Sequence, residues 1–443
     1  MHKIILMNLK FILIQLNEIN FDIVDKYLLN SKNNKFLNLK FLRNNFKFFE
    51  TYSEDKYENL EPWIQWVSVN LGKDFNRHKI FRLGDIINHP EEEQIFEKIE
   101  SRGFKVGAIS PMNSENRLKN PAYFIPDPWT NSSSDESKFS KKISLMLKQT
   151  VNDNAKGGIS FYSFLTILEI IFKTLDYKKT FILMKLIFSS TLKPWKKSLV
   201  LDYLIHLIHI YLFNKCKPNF SSVFFNAGAH IQHHYLHNSK YINNLNKNPS
   251  WYVSPSHDPI EDMLEIYDII IGDYLKLDKS EIKFCISTGL RQVPYRDKIF
   301  YYRLKDHSMF LKKIGIKFKK VLPRMSRDFE IIFDNNSDLN NSKKILENIF
   351  SNKNNFRIFN EIDKRRNSLF VTLTYSNEIK KDEYLNINND LKLNFFNEVT
   401  FVAIKNGMHD TKGYVFSSPN TFSYIPKDRI HVSRLHEMIL KTF

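Results

Sequence analysis

The stretch FILIQLNEIN (11–20) decides how the rest of the chain is read. Its first six residues are almost wholly apolar, the pattern of a strand buried on both faces of a parallel sheet. The polar NEIN that follows stands at the C-terminal end of that strand, where ligands collect in open α/β sheets. FKVGAIS (104–110), SSVFFN (221–226) and IKFCIST (282–288) repeat the texture, with helical patterns between them. PEEEQIFEKIESRG (90–103) reads as one such helix, opened by Pro, acidic in its first turn and closed by Gly. The alternation predicts an α/β fold with a mainly parallel sheet.

Composition narrows the function classes. A chain of 443 residues can bury a large core, as one big domain with insertions or as two. Aromatics at 14%, mostly Phe and Tyr, favour a packed interior over disorder. The net charge of +17 comes from lysines spread along the whole chain. No Arg-rich arm or aromatic-basic motif accompanies it, so the sequence predicts no nucleic-acid partner. Two cysteines, Cys216 and Cys285, build no disulfide framework and suit a reducing compartment; the expected location is cytoplasmic. Lys10 interrupts the apolar N-terminal run and no small-residue cleavage site follows, so a strand is expected there in place of a signal peptide.

Between 151 and 218 the texture becomes long helical segments rich in Leu, Ile and Phe. YLIHLIHIYLFN (203–214) is apolar nearly all round, yet no uncharged run reaches the ~18 residues that span a bilayer. A buried or interface-forming insertion is expected, with a homo-oligomer or a peripheral membrane contact through 160–214 as its partners. His206 and His209 share a face there with no acidic partner expected, and read as packing. DFEIIFD, NSKKILENIFSN, FRIFNEI and SLFVTLTYS predict a small β-α-β-β subdomain over 327–376. EVTFVAI and GYVFSSP return to strands, and HVSRLHEMILKTF ends the chain as a helix. The α/β core is thus expected in three pieces, 1–150, 219–326 and 377–443.

The order of motifs resembles the alkaline-phosphatase superfamily, nearest in layout to its phosphodiesterase/nucleotide-pyrophosphatase branch. ILIQLNEIN matches the family's first strand and acidic metal ligand, with Glu18 in place of Asp. NLEPWIQWVSVNLGK (59–73) matches the nucleophile segment in outline. FNAGAH puts Asn226 and His230 at the spacing of Asp-x-x-x-His. CISTGL (285–290) stands opposite the Ser-Asp-His-Gly strand, and GMHDTKGYVFSS supplies Gly407, His409 and Gly413 near the C-terminus.

The resemblance implies a three-layer sandwich and a phosphate clamped by cations, with a hydroxyl nucleophile between them. Residue by residue, much of that machinery is altered. Asn226 is neutral, Thr288 and Gly289 replace the Asp-His pair, and Pro62 or Trp63 stands where the nucleophile would be. What the resemblance leaves is at most one divalent cation, zinc or manganese, on Glu18, Asn226, His230, His234 and His409; a metal-free site is the alternative. Glu61 becomes the candidate base and Glu18 its catalytic companion. Trp63, Gln65, Asn113, Asp127, Gln232 and Arg291 are the expected substrate contacts, Asp127 together with Trp129 forming an acid and an aromatic platform.

In AHIQHHYLH, His230, His233, His234 and His237 fall at i, i+3, i+4 and i+7, one helical face just after a strand. His230 is expected to point into the site. His233 and His234 are weighed equally behind it, His234 is carried into the ligand set, and His237 is expected at the surface. The resulting expectation is a hydrolase or group transferase for a phosphorylated or nucleotide-linked sugar or glycan. A non-catalytic binding or scaffold protein on the same fold is the alternative.

Overall fold

The computed structural model describes residues 9–32, 34–152, 160–174, 176–242, 247–277, 282–324, 327–387 and 391–443. The part of the N-terminal reading that precedes residue 9 lies outside them. Two compact units are formed, one from Met1–Pro294 with Gly407–Phe443, the other from Tyr295–Asn406.

In the first unit the strand Lys10–Leu16 is the middle of an eight-stranded sheet. Phe220–Phe225 and Ile282–Ser287 flank it in parallel register. Val106–Ile109 and Tyr123–Ile125 extend the sheet in parallel on one side. On the other, Lys412–Ser417 enters antiparallel, then Lys47–Tyr52 and the short Ile430–His431. The central strand is buried on both faces because its side chains alternate into two cores. Ile12, Ile14 and Leu16 join one, with Tyr27, Tyr203 and Ile270 from the helices Phe21–Asn30, Lys196–Cys216 and Pro259–Leu275. Phe11 and Leu13 join the other, with Trp66, Ile95 and Leu435 from Pro62–Leu71, Ile95–Ser101 and Arg434–Leu440. Helices thus cover both faces of a mostly parallel sheet, the expected three-layer α/β arrangement. Full burial of each such side chain stabilises by about 1.5–3 kcal/mol.

One boundary differs from the sequence reading. The helix expected from Pro90 begins at Ile95, because Gln94 and Glu97 close a reciprocal capping box that fixes its first turn.

The second unit is wider than the expected 327–376. A four-stranded antiparallel sheet, Glu361–Arg365, Ser368–Thr372, Asp328–Ile332 and Lys320–Pro323, carries the helix Asn336–Glu347. Beyond residue 376 the chain stays in this unit, since the Ile379 amide donates to the Tyr302 hydroxyl at 3.0 Å and Tyr384–Ile387 and Leu391–Asn394 build a further small sheet. FRIFNEI is not one strand. Before Glu361 it makes only an isolated bridge, Arg357 to Phe350, and continuous pairing starts at Glu361.

His206 and His209 are fully buried on Lys196–Cys216. His209 bridges the sheet and a helix, 2.6 Å from Ser221 Oγ through Nε2 and 2.6 Å from Tyr274 Oη through Nδ1. His206 lies 3.1 Å from Asp273. Burial pushes the His209 imidazole down to about 3, and those of His78 and His436 down to about 4. Groups held neutral in the fold protonate more readily once it opens, so their contribution is complete above the unfolded value of about 6.5 and is lost as pH falls towards 4. The thermal unfolding midpoint should therefore drop steeply between pH 6.5 and pH 4. His209→Gln should flatten that acid limb while lowering the midpoint at pH 7.

Candidate functional site

Two residues past the central strand, Glu18 turns the chain with φ at +61°, in the left-handed region. For a residue with a Cβ this costs about 1–3 kcal/mol, and it persists only where the surroundings dictate it. Here the neighbouring strand ends do so. The Asn17 amide donates to Phe225 O at 3.0 Å and the Glu18 amide to Thr288 O at 3.0 Å. Glu18 O in turn accepts from the Gln292 amide at 3.2 Å and from Gln232 Nε2 at 2.9 Å. The turn is pinned from three sides, and its carboxylate is only 1% exposed.

Two imidazoles meet that carboxylate. His233 Nε2 lies 3.1 Å and His409 Nε2 3.2 Å from Glu18 Oε2, and the two nitrogens are 3.3 Å apart. Gln292 Nε2 also donates to Oε2, and Asn17 Nδ2 donates to Oε1 at 3.0 Å. Burial alone raises the Glu18 carboxyl, but the charges of His409 and His233 and the hydrogen bonds from both rings outweigh it and hold the group well below the usual carboxylate range. His233 is 30% exposed and His409 10%, so the cluster opens to solvent on the His233 side.

Protons alone satisfy this triangle poorly. If both rings donate to Oε2, their two N–H groups face each other at 3.3 Å. A cation removes the conflict. Bonds of about 2.0–2.1 Å in a tetrahedral arrangement hold ligand atoms roughly 3.3 Å apart, close to the separations here. Two imidazoles and a carboxylate suit zinc or manganese chemically, and Asn17 and Gln292 orient the carboxylate as outer partners.

Glu61 completes the group. It precedes the helix Pro62–Leu71 but makes no capping bond with its side chain, and its Oε2 instead lies 3.7 Å from His409 Nδ1. That position sets a carboxylate beside the imidazole, and at 31% exposure it remains open to solvent.

Of the five expected ligands, Glu18 and His409 come together, and His233 joins them. Asn226, His230 and His234 are not in the cluster. Asn226 accepts from Asn17 Nδ2 at 2.8 Å. The helix Ala227–Tyr235 is started by Asp202, whose carboxylate takes the Asn226 and Ala227 amides at 3.1 and 2.8 Å. From that start, the 100° step per residue brings His233 to Glu18 and turns His230 towards His234, with ring centroids 4.9 Å apart. Burial pushes the His230 imidazole down to about 4. His237, expected at the surface, is buried, because a turn of tighter helix, Leu236–Asn238, follows.

Most polar atoms of the expected substrate contacts are occupied in holding the scaffold. Trp63 Nε1 donates to Phe81 O at 2.9 Å and Gln65 Nε2 to Asn59 O at 2.8 Å. Asn113 Oδ1 accepts the Gly84 amide at 2.9 Å. Asp127 takes the amides of Asn113, Trp129 and Thr130 at 2.9, 2.8 and 2.8 Å. Gln232 supports the Glu18 turn, accepting the Asn20 amide at 3.1 Å. Arg291 is paired with Asp410 at 2.7 Å and with Asp22. Its neighbour Gln292 reaches Glu18 instead, since adjacent strand residues point to opposite sides. Only the parity of that strand could have told the two apart.

No protein-family model matches the chain, and no curated protein matches it by sequence. Solved structures align along nearly all of it. Phosphonoacetate hydrolase from Sinorhizobium meliloti 1021, in complex with phosphonoacetate, superposes with a TM-score of 0.44 at 8% identity, over 98% of this chain and 96% of that one. Murine ectonucleotide pyrophosphatase/phosphodiesterase 5 gives 0.40 at 10% identity, over 98% and 94%. Alkaline phosphatase from the Antarctic bacterium TAB5 gives 0.37 at 10%, over 98% and 97%. Superpositions this loose carry no argument for this chain, whose fold and site stand on its own residues.

Gly407 tests the packing behind the cluster. A Cβ there would lie 1.9 Å from Gln292 Oε1 and 2.7 Å from Gln232 O. Gly407→Ala should destabilise the fold by about 1–3 kcal/mol, read as a lower denaturation midpoint in urea.

Proposed function

We propose that this chain is a one-cation phosphoester hydrolase or group transferase, with Glu18, His233 and His409 as the ligands. The observation that carries the reading is the meeting of Glu18 Oε2, His233 Nε2 and His409 Nε2 within 3.3 Å of one another at the C-terminal edge of the sheet. When bound, a divalent cation supplies a Lewis acid that neutralises charge on a phosphoryl oxygen.

Support for a single cation comes from what stands around it. Thr288 Oγ1 accepts the Tyr414 amide at 3.0 Å and is committed to the sheet, and Asn226 adds no charge. Neither offers the carboxylate that a second cation would need.

The nucleophile must come from outside the chain, since Pro62 and Trp63 open the helix at that place. In hydrolysis, water adds to phosphorus as the ester P–O bond breaks, Glu61 takes the proton released, and the leaving oxygen is protonated from solvent. In transfer, an acceptor hydroxyl replaces the water. Glu61 also lies 3.7 Å from His409 Nδ1, near enough to favour the charged imidazole. The organic part of the substrate we take to be a sugar, phosphorylated or nucleotide-linked. Trp63, half-buried beside Glu61, offers the flat apolar face on which a sugar ring stacks. The competing reading is a binding or scaffold protein, for which Glu18 and its two histidines form a structural ion cluster.

Plasma mass spectrometry of the purified protein should find one equivalent of metal, falling at least tenfold in both His233→Ala and His409→Ala. A folded, metal-free protein would favour the scaffold. With bis(p-nitrophenyl) phosphate, Glu61→Gln should keep its metal and lose about 10²-fold in kcat. Trp63→Ala should raise KM for a nucleotide sugar more than for that small diester.

A further inference from the structure

The helices Phe161–Thr174 and Tyr177–Leu192 carry large apolar side chains on their outer faces. On the first, the buried positions include Ser163 and Thr166 beside Ile170, while Phe161, Phe164 and Phe172 are exposed. On the second, Phe181, Met184 and Phe188 face outward along one stripe. A helix on the surface of a water-soluble core shows the reverse distribution. The four phenylalanines at 161, 172, 181 and 188 are 70–76% exposed, and nearly half of the exposed large apolar side chains among the described residues lie within 161–192. A patch so concentrated calls for a covering partner.

Charge identifies the kind of partner. Residues 138–197 carry 12 lysines and 3 acids. Of the acids, Glu169 lies 2.7 Å from Lys142 and 3.7 Å from Lys173, and Asp176 lies 4.0 Å from Lys179. Asp262, from outside the segment, takes up Lys193 and Lys196. Lys178 and Lys185 stand outside these pairs, exposed and one heptad apart beside the stripe of Phe181, Met184 and Phe188. Symmetric pairing of two copies through this face would set like charge against like. An apolar stripe flanked by lysines is instead complementary to a surface with an anionic outer layer and an apolar interior.

The helix behind the patch explains how the face is held. Lys196–Cys216 has the length and hydropathy of a membrane span, but 61% of its apolar window is buried within the fold, among residues such as Leu199, Tyr203 and Ile208. It serves as a core helix against which the outer pair is mounted.

We propose that the outer face of Phe161–Thr174 and Tyr177–Leu192 lies in the interface of an anionic lipid bilayer. The phenylalanines enter the acyl boundary and Lys178 and Lys185 reach the headgroups. This holds or fails independently of the cation site.

Flotation of the full chain with phosphatidylcholine vesicles, with and without phosphatidylglycerol, tests it. Binding should require phosphatidylglycerol, weaken with added salt, and fall at least tenfold in Phe172→Ser/Phe181→Ser/Phe188→Ser and in Lys178→Glu/Lys185→Glu. All five side chains are exposed, so both variants should keep the thermal midpoint of the parent. Equal binding to neutral vesicles, no binding at low salt, or binding unchanged in the phenylalanine variant would each overturn the proposal. So would a dimer in sedimentation equilibrium that the phenylalanine variant dissolves while vesicles are ignored; that result would assign the face to a second copy of the chain.

Discussion

The arrangement of the first unit turns on one carboxylate. Glu18 is buried at the end of the central strand, in a backbone conformation that its side chain disfavours, and it meets two imidazoles and two amides there. Removing such a charge from water is expensive unless it is paired and fully hydrogen-bonded. The surrounding elements supply that pairing from separate stretches of sequence. His233 comes from a helix after the Phe220–Phe225 strand, Gln292 from the stretch after Ile282–Ser287, and His409 from just before the antiparallel strand Lys412–Ser417. The sheet order brings the three strands Lys10–Leu16, Phe220–Phe225 and Ile282–Ser287 side by side, and the chain ends that leave them converge on Glu18.

This dependence separates residues that act at the site from those that hold it. Asp202 sets the start of the His233 helix and Gln232 pins the Glu18 turn, while Asn17 links Glu18 to Asn226 and to the Trp66 indole. These polar groups sit behind the cluster and hold its ligands in place. Asp127 and Asn113, residues with the composition of a binding site, belong to the same supporting class, because backbone amides and carbonyls already take their polar atoms.

Much of the fold was legible in the sequence, because burial on both faces imposes a local pattern. FILIQL, SSVFFN and IKFCIS are apolar at successive positions, and each became a parallel strand with both faces covered. Legibility failed where an apolar run did not find a partner strand along its length, as at Ile358 and Phe359, and where a cap displaced a helix start, as at Gln94. At the site, Glu18 and His409 could be read because each follows or precedes a recognisable strand. The sequence ranks His230 ahead of His233, whereas the structure brings His233 to Glu18; both lie on the same helical face and the choice depends on rotation about the helix axis by less than one turn.

By itself the sequence determined the strand run, the alternation of layers, the presence of an acid at the central strand's end and the oily, lysine-flanked character of 160–192. Those are local properties, written in period, polarity and charge. Only the tertiary structure decided that His233 and Gln292, in place of His230 and Arg291, reach Glu18, that Glu61 turns to His409, and that phenylalanines of the insertion face outward over serine and threonine. The physical reason is the same in each case. Which side of a helix or strand faces a site is settled by rotation and register against distant neighbours, and a shift of one residue reverses it.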